Sequence, residues 1–591
     1  MAKTENRKDK IKMKIPVFSL APEILKYQIV TKIALAVLLA TVRQIALALL
    51  HSTGRVALSS GDYKFLFTTW QGPLILFLFL AISFFCVSID LNVKILYSGN
   101  ALNGVSEPVW HTIRRAVKAL PKFFNIHGLG VVLYIILISP IVSMGLNVSL
   151  TKNLKIPNFI TSVIDATPLY HAIYIVLIFI FTAIGIFHIF VLHGVLLDEL
   201  SIRQSRKQSS YLIRKRWKNF MWENIKYFLK MAALGILGVT LFLVLPLTVL
   251  ESLSLEIFTK RFLTILIFLS GVSASGFISL FITPLYVLRV TRLYRVYLEG
   301  RPVSVPARRV RKKYLLFLGI CAIWIPSCVA LSSLSAQNFD ILFPAEITTR
   351  IIAHRAGGNE GTENTVSGLN AAVDLGAFGS EIDIQRTSDG YYIVNHDSTF
   401  SRTTGKKRAP SNMTLSEIKK LRVQNSDDPV ATLEEMLEAS KDRIVLFIEL
   451  KGATADRQMC DDAVKIIRDM DMTEQAVLIS LKYDLIDYIE SVYPEIQTGY
   501  LTFLSYGDTM RLSCDYLGLE EESATSSAIN AVHNQGKKVM VWTPNTTSAQ
   551  EHFLISAADA IITDNIRQAN ERIETLEKRN DLERILSKFF K

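Results

Sequence analysis

Three carboxylates in the second half of the chain have a spacing that suits a metal ion. Glu381 and Asp383 alternate within SEIDIQ, so in an extended strand both side chains lie on the same face. Glu449 ends the apolar run IVLFIEL, and Lys451 follows it two residues later. Converging carboxylates are costly unless a cation neutralises them, and oxygen-only ligands suit Mg²⁺ or Ca²⁺ better than zinc. The pattern predicts a site for one of these ions, although a single E-x-D is more often only a polar strand face.

Two histidines flank these carboxylates at the ends of short apolar stretches. His354, followed by Arg355, ends RIIAH, and His396 ends YYIVNH. Imidazole titrates near neutral pH, so two histidines beside a cation site can act as a general acid and a general base. A lone histidine at a strand end is more often a structural hydrogen-bonding group, which is our interpretation of His533 and His552.

The chain that must position these groups alternates short strands and amphipathic helices from residue 350 onward. Strands are predicted at 350–354, 380–385, 391–396, 444–450, 476–481, 498–503, 514–519, 538–543 and 560–564. Helices are predicted at 364–375, 431–440, 457–470, 484–492, 524–535 and 548–556. This alternation over roughly 240 residues favours a (β/α)8 barrel of the TIM type, with its active site at the C-terminal ends of the strands.

Nine strands are one too many for that barrel. Only RTSDG separates SEIDIQ from YYIVNH, which is too short for a crossover helix and typical of a hairpin. One of these two strands is therefore predicted to be an extra antiparallel strand at the barrel mouth. The charged stretch after residue 564 is predicted to be the closing helix and a solvated tail.

The first 336 residues predict an α-helical membrane bundle. Half of the whole chain is hydrophobic and its mean hydropathy is +0.30, which excludes a disordered protein. Each of seven apolar runs could cross about 30 Å of hydrocarbon as a helix. These runs lie at 29–50, 73–93, 128–150, 172–197, 228–250, 262–288 and 314–335. We predict a membrane domain at 1–336, a linker at 337–349 and the barrel domain at 350–591.

The charges predict the orientation. Residues 1–336 hold 38 Lys and Arg against 13 Asp and Glu, whereas residues 337–591 hold 27 against 40. Of the basic residues before and between the apolar runs, 29 lie on the side of the N-terminus and 6 on the other side. The positive-inside rule then makes the N-terminus cytoplasmic, and seven spans put the barrel outside the cell. We predict a multi-pass plasma-membrane protein in contact with the lipid bilayer, and no nucleic-acid partner, because the water-compatible half is acidic.

The second half resembles the glycerophosphodiester phosphodiesterase family. The resemblance rests on HRAGGNEGTENTVSGLNAAVDLGAFGSEIDIQRTSDGYYIVNHD from residue 354, IELK at 448–451, WTPN at 542–545 and ITDN at 562–565. It covers nearly all of 350–575. The apolar first half is similar, less specifically, to the membrane domain of some bacterial members.

The resemblance implies roles for nine residues of this sequence, and a tenth, Trp542, is a candidate on its own. Catalytic histidines fall on His354 and His396, and metal ligands on Glu381, Asp383 and Glu449. The phosphate-binding and supporting positions are Arg355, Lys451, Glu363 and Asn364. Trp542 could be core packing or a platform for substrate, and we predict the latter. Two positions depart from the family pattern: Ala356 stands where Gly is usual, and Thr362 where Pro is usual.

The implied activity is hydrolysis of glycerophosphodiesters to glycerol phosphate and an alcohol, with Mg²⁺ or Ca²⁺. Small diesters, lipid headgroups and glycerol-phosphate polymers are all candidate substrates. Two alternatives stay open: a phospholipase acting on membrane lipid, and a transporter or sensor whose extracellular barrel only binds phosphodiesters. Which histidine is the acid, and the oligomeric state, stay open as well.

Overall fold

The structure is a computed structural model that describes residues 17–55, 57–59, 65–123, 164, 167–300, 314–423, 426–502, 505–507 and 511–589. Within these ranges the chain forms two compact units. The first holds residues up to 46 together with 76–338, and the second holds 47–75 together with the chain from Phe339 onward. The predicted domain limits stay a prediction.

The first unit is helical. Its helices are α1 (Val17–His51), α3 (Gln71–Leu102), α4 (Val109–Lys118), α5 (Pro168–His188), α6 (Val191–Leu197), α7 (Ile202–Val239), α8 (Leu245–Ser252), α9 (Ile257–Glu299) and α10 (Tyr314–Gln337). Between α1 and α3 lie β1 (Ala57–Ser59) and α2 (Phe65–Thr68), which belong to the second unit. Thr240–Val244, between α7 and α8, is π-helical, and Leu120–Phe123 is a 3₁₀ turn.

Six stretches of the described chain are long and apolar enough to cross a membrane. They are Leu20–His51, Gln71–Leu102, Pro168–Leu197, Ile202–Ser252, Ile257–Glu299 and Leu318–Gln337. Large apolar side chains such as Phe179, Phe242 and Ile323 are more than 70% exposed on these helices, as expected for surfaces that face lipid. Each stretch overlaps a predicted span, and the predicted span at 128–150 lies outside the described residues.

The second unit is built on the predicted barrel. Its strands are β2 (Arg350–Ala353), β3 (Gly379–Arg386), β4 (Tyr392–Val394), β5 (Val445–Leu450), β6 (Ala476–Ser480), β7 (Gln497–Thr502), β8 (Ser505–Gly507), β9 (Tyr516–Glu520), β10 (Lys538–Trp542) and β11 (Ala560–Thr563). Eight of them pair in parallel in the order β2-β3-β5-β6-β7-β9-β10-β11, and β11 pairs with β2 to close the barrel. The (β/α)8 prediction is confirmed.

Helices connect the strands over most of the barrel. They are α11 (Phe339–Leu342) before β2, then α12 (Val366–Asp374), α13 (Ser401–Thr404), α14 (Leu415–Ile418), α15 (Leu433–Ser440), α16 (Arg457–Asp469), α17 (Tyr483–Val492), α18 (Ser526–His533), α19 (Thr547–Leu554), α20 (Ile566–Glu577) and α21 (Asp581–Phe589). Threonine or aspartate begins many of them: Thr432, for example, accepts the Glu435 N–H while the Glu435 side chain accepts the Thr432 N–H.

The strands are buried on both faces, as parallel barrel strands must be. Phe447, Ile479 and Met540 fill the barrel interior, and a second apolar layer lies between the strands and the helices. Short runs of consecutive apolar residues therefore become strands rather than surface helices.

Two details concern the predicted edges of the barrel. β4 pairs with β3 in antiparallel fashion, which confirms the predicted hairpin strand. The predicted solvated tail is wrong: Ile585 of α21 is fully buried. The Arg584 side chain donates to the Phe343 carbonyl and, at 2.7 Å, to Asp340. α21 is amphipathic, and its apolar side is buried rather than solvated. Arg584 connects this helix to the chain that precedes β2.

Candidate active site

The three carboxylates converge at one end of the barrel. Glu381 and Asp383 lie on β3, and Glu449 lies on β5 directly opposite Asp383 in the parallel register. One oxygen from each of the three side chains lies within 4.8 Å of the others. All three residues are buried, between 1% and 6% exposed. The period-two spacing of E-x-D and the pairing of neighbouring strands together produce this cluster.

Lys451 supplies positive charge to the cluster. Its Nζ donates to Asp383 at 2.8 Å and to Glu449 at 2.9 Å. The Lys451 charge, with that of His396, outweighs burial and lowers the pKa of Asp383 well below its ordinary value. Burial and the charge of Asp383 raise the pKa of Glu381 to about 8, and burial also raises the pKa of Glu449. One lysine is therefore too little charge for three buried carboxylates.

The donor set fits a divalent cation. If all three carboxylates were ionised, one ammonium would leave two net negative charges in a buried place, and the raised pKa values of Glu381 and Glu449 reflect that cost. All candidate ligand atoms are oxygens, the donors that hard cations such as Mg²⁺ and Ca²⁺ prefer. Two of the carboxylates are also held from outside: the Arg355 N–H donates to Glu381 at 2.8 Å, and the Asn364 amide donates to Asp383 at 2.9 Å. Glu381, Asp383 and Glu449 could thus hold a metal ion.

His354 forms a hydrogen-bonded pair with Asp564. His354 follows β2 and Asp564 follows β11, the strand beside it, and His354 Nδ1 lies 2.7 Å from Asp564 Oδ1. The backbone N–H of Asp564 and one of its side-chain oxygens bond the Asn545 amide, which holds the carboxylate in place. Burial alone would lower the pKa of His354, but the bond to Asp564 and the charge of Glu381 outweigh it and raise the pKa.

His396 forms a second pair of the same kind. Its Nδ1 lies 2.9 Å from Oδ1 of the adjacent Asp397, whose carboxylate accepts two bonds from Arg402. Burial lowers the pKa of His396, and the charges of Lys451 and Arg355 add to the effect, although Asp383 and Asp397 oppose it. The two histidines, similar in sequence context, are thus shifted in opposite directions.

Glu363 connects the loop after β2 to the loop after β4. It accepts from Arg355 at 3.1 Å and, through both oxygens, from Arg402 at 2.6 and 2.7 Å. Glu363 therefore holds the guanidinium groups of Arg355 and Arg402, and its supporting role stays a prediction. Arg355 keeps part of its side chain exposed.

The backbone after His354 is unusual. Arg355 and Ala356 have φ angles of 51° and 73°, in the left-handed region that L-residues rarely adopt. This turn puts the Arg355 N–H on the Glu381 carboxylate and the Ala356 N–H on the Glu381 carbonyl. The glycine usual at position 356 in the family resemblance suits this conformation, whereas the alanine adopts it under strain. Gly358 is required by space, since a Cβ there would lie 2.4 Å from the Asp564 carbonyl oxygen.

Trp542 ends β10 at the same end of the barrel. It is half-buried against the interior cluster, and among the described residues its indole N–H has no hydrogen-bond partner. Core packing and a buried donor without a partner are both present, so its predicted substrate contact stays a prediction.

Three groups of this site could not be assigned from the sequence, and one buried glutamate at the end of another strand was not singled out. Asp564 was quoted within ITDN without a role, and its partnership with His354 follows only when the last strand closes beside the first. Asp397 was seen next to His396 but not as its partner, and Arg402 stands in no motif. Glu520, 2% exposed, ends β9 and accepts the Glu522 N–H at 2.9 Å. Its position at a strand end was the signal that could have identified it.

This arrangement suits acid–base chemistry on an anion. A cation site, Lys451 and Arg355 can neutralise negative oxygens, and two imidazoles with opposite pKa shifts can take and give a proton. The predicted His354, Arg355, Glu363, Asn364, Glu381, Asp383, His396, Glu449 and Lys451 are all brought together by the described contacts.

Comparison with protein families gives two matches. The description "Membrane domain of glycerophosphoryl diester phosphodiesterase" matches residues 18–320, more than half of the chain. The description "Glycerophosphoryl diester phosphodiesterase family" matches residues 354–568, which include the whole site.

Individual relatives match the barrel. A glycerophosphodiester phosphodiesterase of Caldanaerobacter subterraneus is 28% identical over 231 residues, covering 36% of this chain and 94% of the relative. The human glycerophosphodiester phosphodiesterase 1 is 33% identical over 137 residues, covering 22% of this chain and 39% of the relative. Among solved structures, an Oleispira antarctica phosphodiesterase in complex with the product sn-glycerol-3-phosphate is 23% identical, with 38% of this chain and 97% of that chain covered and a TM-score of 0.36.

Proposed function

This chain belongs to the glycerophosphoryl diester phosphodiesterase family and is a phosphoric diester hydrolase with a membrane domain. From that premise we propose that it hydrolyses glycerophosphodiesters to glycerol phosphate and an alcohol with the help of a divalent cation. The observation that carries the proposal is the buried triad Glu381, Asp383 and Glu449 beside two histidine–aspartate pairs. A divalent ion there would neutralise charge on the phosphoryl oxygens.

The remaining groups divide the other tasks. Lys451 and Arg355 would contact the phosphate, because both are cationic and lie at the triad. His396, whose pKa is lowered, is neutral at pH 7 and would take the proton of the attacking oxygen. His354, whose pKa is raised, would give its proton to the leaving alkoxide. One P–O bond forms and one breaks, and each aspartate holds its imidazole by Nδ1, so that Nε2 is the nitrogen left for the substrate.

The pH dependence of kcat/KM should reveal these roles. Neutral His396 is lost as pH falls through its pKa, and protonated His354 is lost as pH rises through its pKa, so a bell-shaped profile is expected. In Asp564→Asn the charge that raises the pKa of His354 is removed. The alkaline limb should move down by about one pH unit while the acid limb stays. A full pH profile of both proteins measures this.

Asp559→Asn is the matched control. Asp559 also pairs with a histidine, His533, at 2.8 Å, through Nε2 and away from the triad. Its profile should match that of the unchanged protein. An acid limb that moved in Asp564→Asn would reverse the assignment of acid and base.

The place of action is part of the proposal. Six apolar helices in the described part of the chain, with the membrane-domain match, make this a multi-pass membrane protein. The excess of basic residues on one side of the spans supports a cytoplasmic N-terminus and a barrel outside the plasma membrane. Small glycerophosphodiesters, lipid headgroups and glycerol-phosphate polymers would then be available as substrates. We further propose the domain limits 1–336 and 350–591, joined by 337–349.

A product assay on the full chain in detergent tests the activity. Glycerophosphocholine, a lysolipid and a glycerol-phosphate polymer are each supplied after chelation, and then with Mg²⁺ or Ca²⁺. Glycerol phosphate should appear only after the ion is restored. Release of a phosphorylated alcohol from the lysolipid would favour the phospholipase alternative, and binding without any product would favour the sensor or transporter. Intact cells should hydrolyse impermeant glycerophosphocholine if the barrel faces outward.

A further inference from the structure

A short strand from the first part of the chain belongs to the barrel unit. β1 lies between α1 and α3, and it pairs with β8 in antiparallel register, Ala57 opposite Gly507, Leu58 opposite Tyr506 and Ser59 opposite Ser505. Residues 47–75 are part of the same compact unit as the barrel. A segment between two membrane-crossing helices thus forms a ladder with a strand more than 400 residues away.

This ladder lies where the barrel lacks a helix. In the part of the chain that the structure describes, helices connect the other neighbouring parallel strands, but no α-helix lies between Thr502 and Tyr516. The outward side chains of the flanking strands are nevertheless buried: Tyr500 is 1%, Leu517 0% and Leu519 4% exposed. A parallel strand needs an apolar cover on its outer face.

The β1 strand contributes to that cover. Ala57 is half-buried and packs against the same apolar layer that contains Tyr500, Leu517 and Leu519. Beside it, the Arg55 guanidinium lies 5.3 Å from the centre of the Phe65 ring, and Phe65 is 5% exposed. The segment is therefore held by backbone pairing, by apolar packing and by a cation–π contact within itself.

We propose that β1 is a docking strand for the barrel, which binds the β8 edge and helps to cover the outer face of β7 and β9, whose connection contains no α-helix among the described residues. The occupant is this chain's own loop, and the mode is addition of a strand to a free edge. β8 begins three residues after the C-terminal end of β7, so the ladder begins within about 10 Å of the end of the barrel that carries the carboxylates. The proposal does not depend on the proposed chemistry.

The pairing has a consequence for membrane topology. β1 follows the first apolar helix, and the barrel follows the last, so both lie on one side only if an even number of crossings separates them. The described residues between β1 and the barrel hold five candidate crossings. A sixth crossing is then required, and the sequence predicts it at 128–150, outside the described residues.

A disulfide cross-link in the full-length protein tests the pairing. Directly opposite residues of an antiparallel pair have Cα atoms about 4.5–5.5 Å apart, within the range that a disulfide spans. Leu58→Cys with Tyr506→Cys should join the tryptic peptides 56–64 and 483–511 in membranes treated with a mild oxidant. The matched control is Leu58→Cys with Glu438→Cys, an exposed position on α15. The linked peptides, measured by mass spectrometry, should be several times more abundant for the first pair.

A second variant tests the ladder without cysteines. Alternate residues of an antiparallel strand donate to the partner, so Leu58→Pro with Ser59→Pro removes at least one ladder N–H. Trypsin cleavage after Arg511 should become roughly two- to tenfold faster, the effect of one lost backbone hydrogen bond. Leu58→Thr with Ser59→Thr keeps the backbone donors and should cleave at the original rate. Cross-linking no greater than in the control pair, or equal cleavage of the proline and threonine variants, would overturn the proposal.

Discussion

Replacing His396 by alanine should lower kcat by roughly 10²–10⁴, the usual contribution of a general acid or base, while divalent-ion binding stays near normal. The physical reason is that His396 lies beside the triad and pairs with Asp397 but is not one of the three converging carboxylates. Turnover of glycerophosphocholine and calorimetric titration of the chelator-treated protein with Ca²⁺ measure the two quantities separately. His354→Ala should behave in the same manner.

His533→Ala is the control for this prediction. His533 also bonds an aspartate, Asp559 at 2.8 Å, and it is only partly exposed, so the change removes a similar group from the same barrel. It should leave kcat within about twofold, because surface changes away from special features have small effects. If His396→Ala weakened ion binding as strongly as it lowered kcat, the separation of proton transfer from ion binding would be wrong.

Replacing Glu381 by glutamine should weaken divalent-ion binding by roughly 10²-fold or more, since even groups that only orient metal ligands contribute 10–100-fold. The change keeps the shape of the side chain and removes one anionic ligand from a buried cluster. Activity should recover at high ion concentration if the remaining two carboxylates still hold the ion. A titration of rate against Mg²⁺ or Ca²⁺ concentration, beside calorimetry, measures this shift.

Glu520→Gln is the matched control for the triad. Glu520 is a buried glutamate at the C-terminal end of β9, another strand of the same barrel, but it does not belong to the cluster of converging oxygens. Its ion titration should overlay that of the unchanged protein. Equal losses in Glu381→Gln and Glu520→Gln would mean that burial of acidic charge, rather than ligation, controls the titration.

Local patterns were sufficient for most of the fold. Strands and helices of the barrel were predictable because fully buried parallel strands read as short apolar runs, and helices as amphipathic ones. The β3–β4 hairpin was predictable from the length of RTSDG alone. The tail was mispredicted because α21 carries many charges, and its buried Ile585 depends on a distant partner, the chain before β2.

The residues of the candidate site also fall into two groups, those predictable from local sequence patterns and those that depend on distant partners. Residue types and period-two spacing were enough to single out Glu381, Asp383, Glu449 and the two histidines, because neighbouring parallel strands must bring their C-terminal ends together. The partner of His354 was not predictable in this way. Asp564 is 210 residues away, and the two meet only because the last strand pairs with the first.

The amino-acid sequence alone therefore determined the type of chemistry and the two kinds of domain. Both can be predicted from residue types and their spacing along the chain, without knowledge of distant partners. What depends on folding is the difference between the two histidines and the place of β1. His354 and His396 have similar sequence surroundings, yet Asp564 and Glu381 raise the pKa of one while burial and Lys451 lower that of the other. The sequence VALSS carries no signal for a barrel edge, since an edge strand is defined by the unpaired backbone it meets and not by its own side chains.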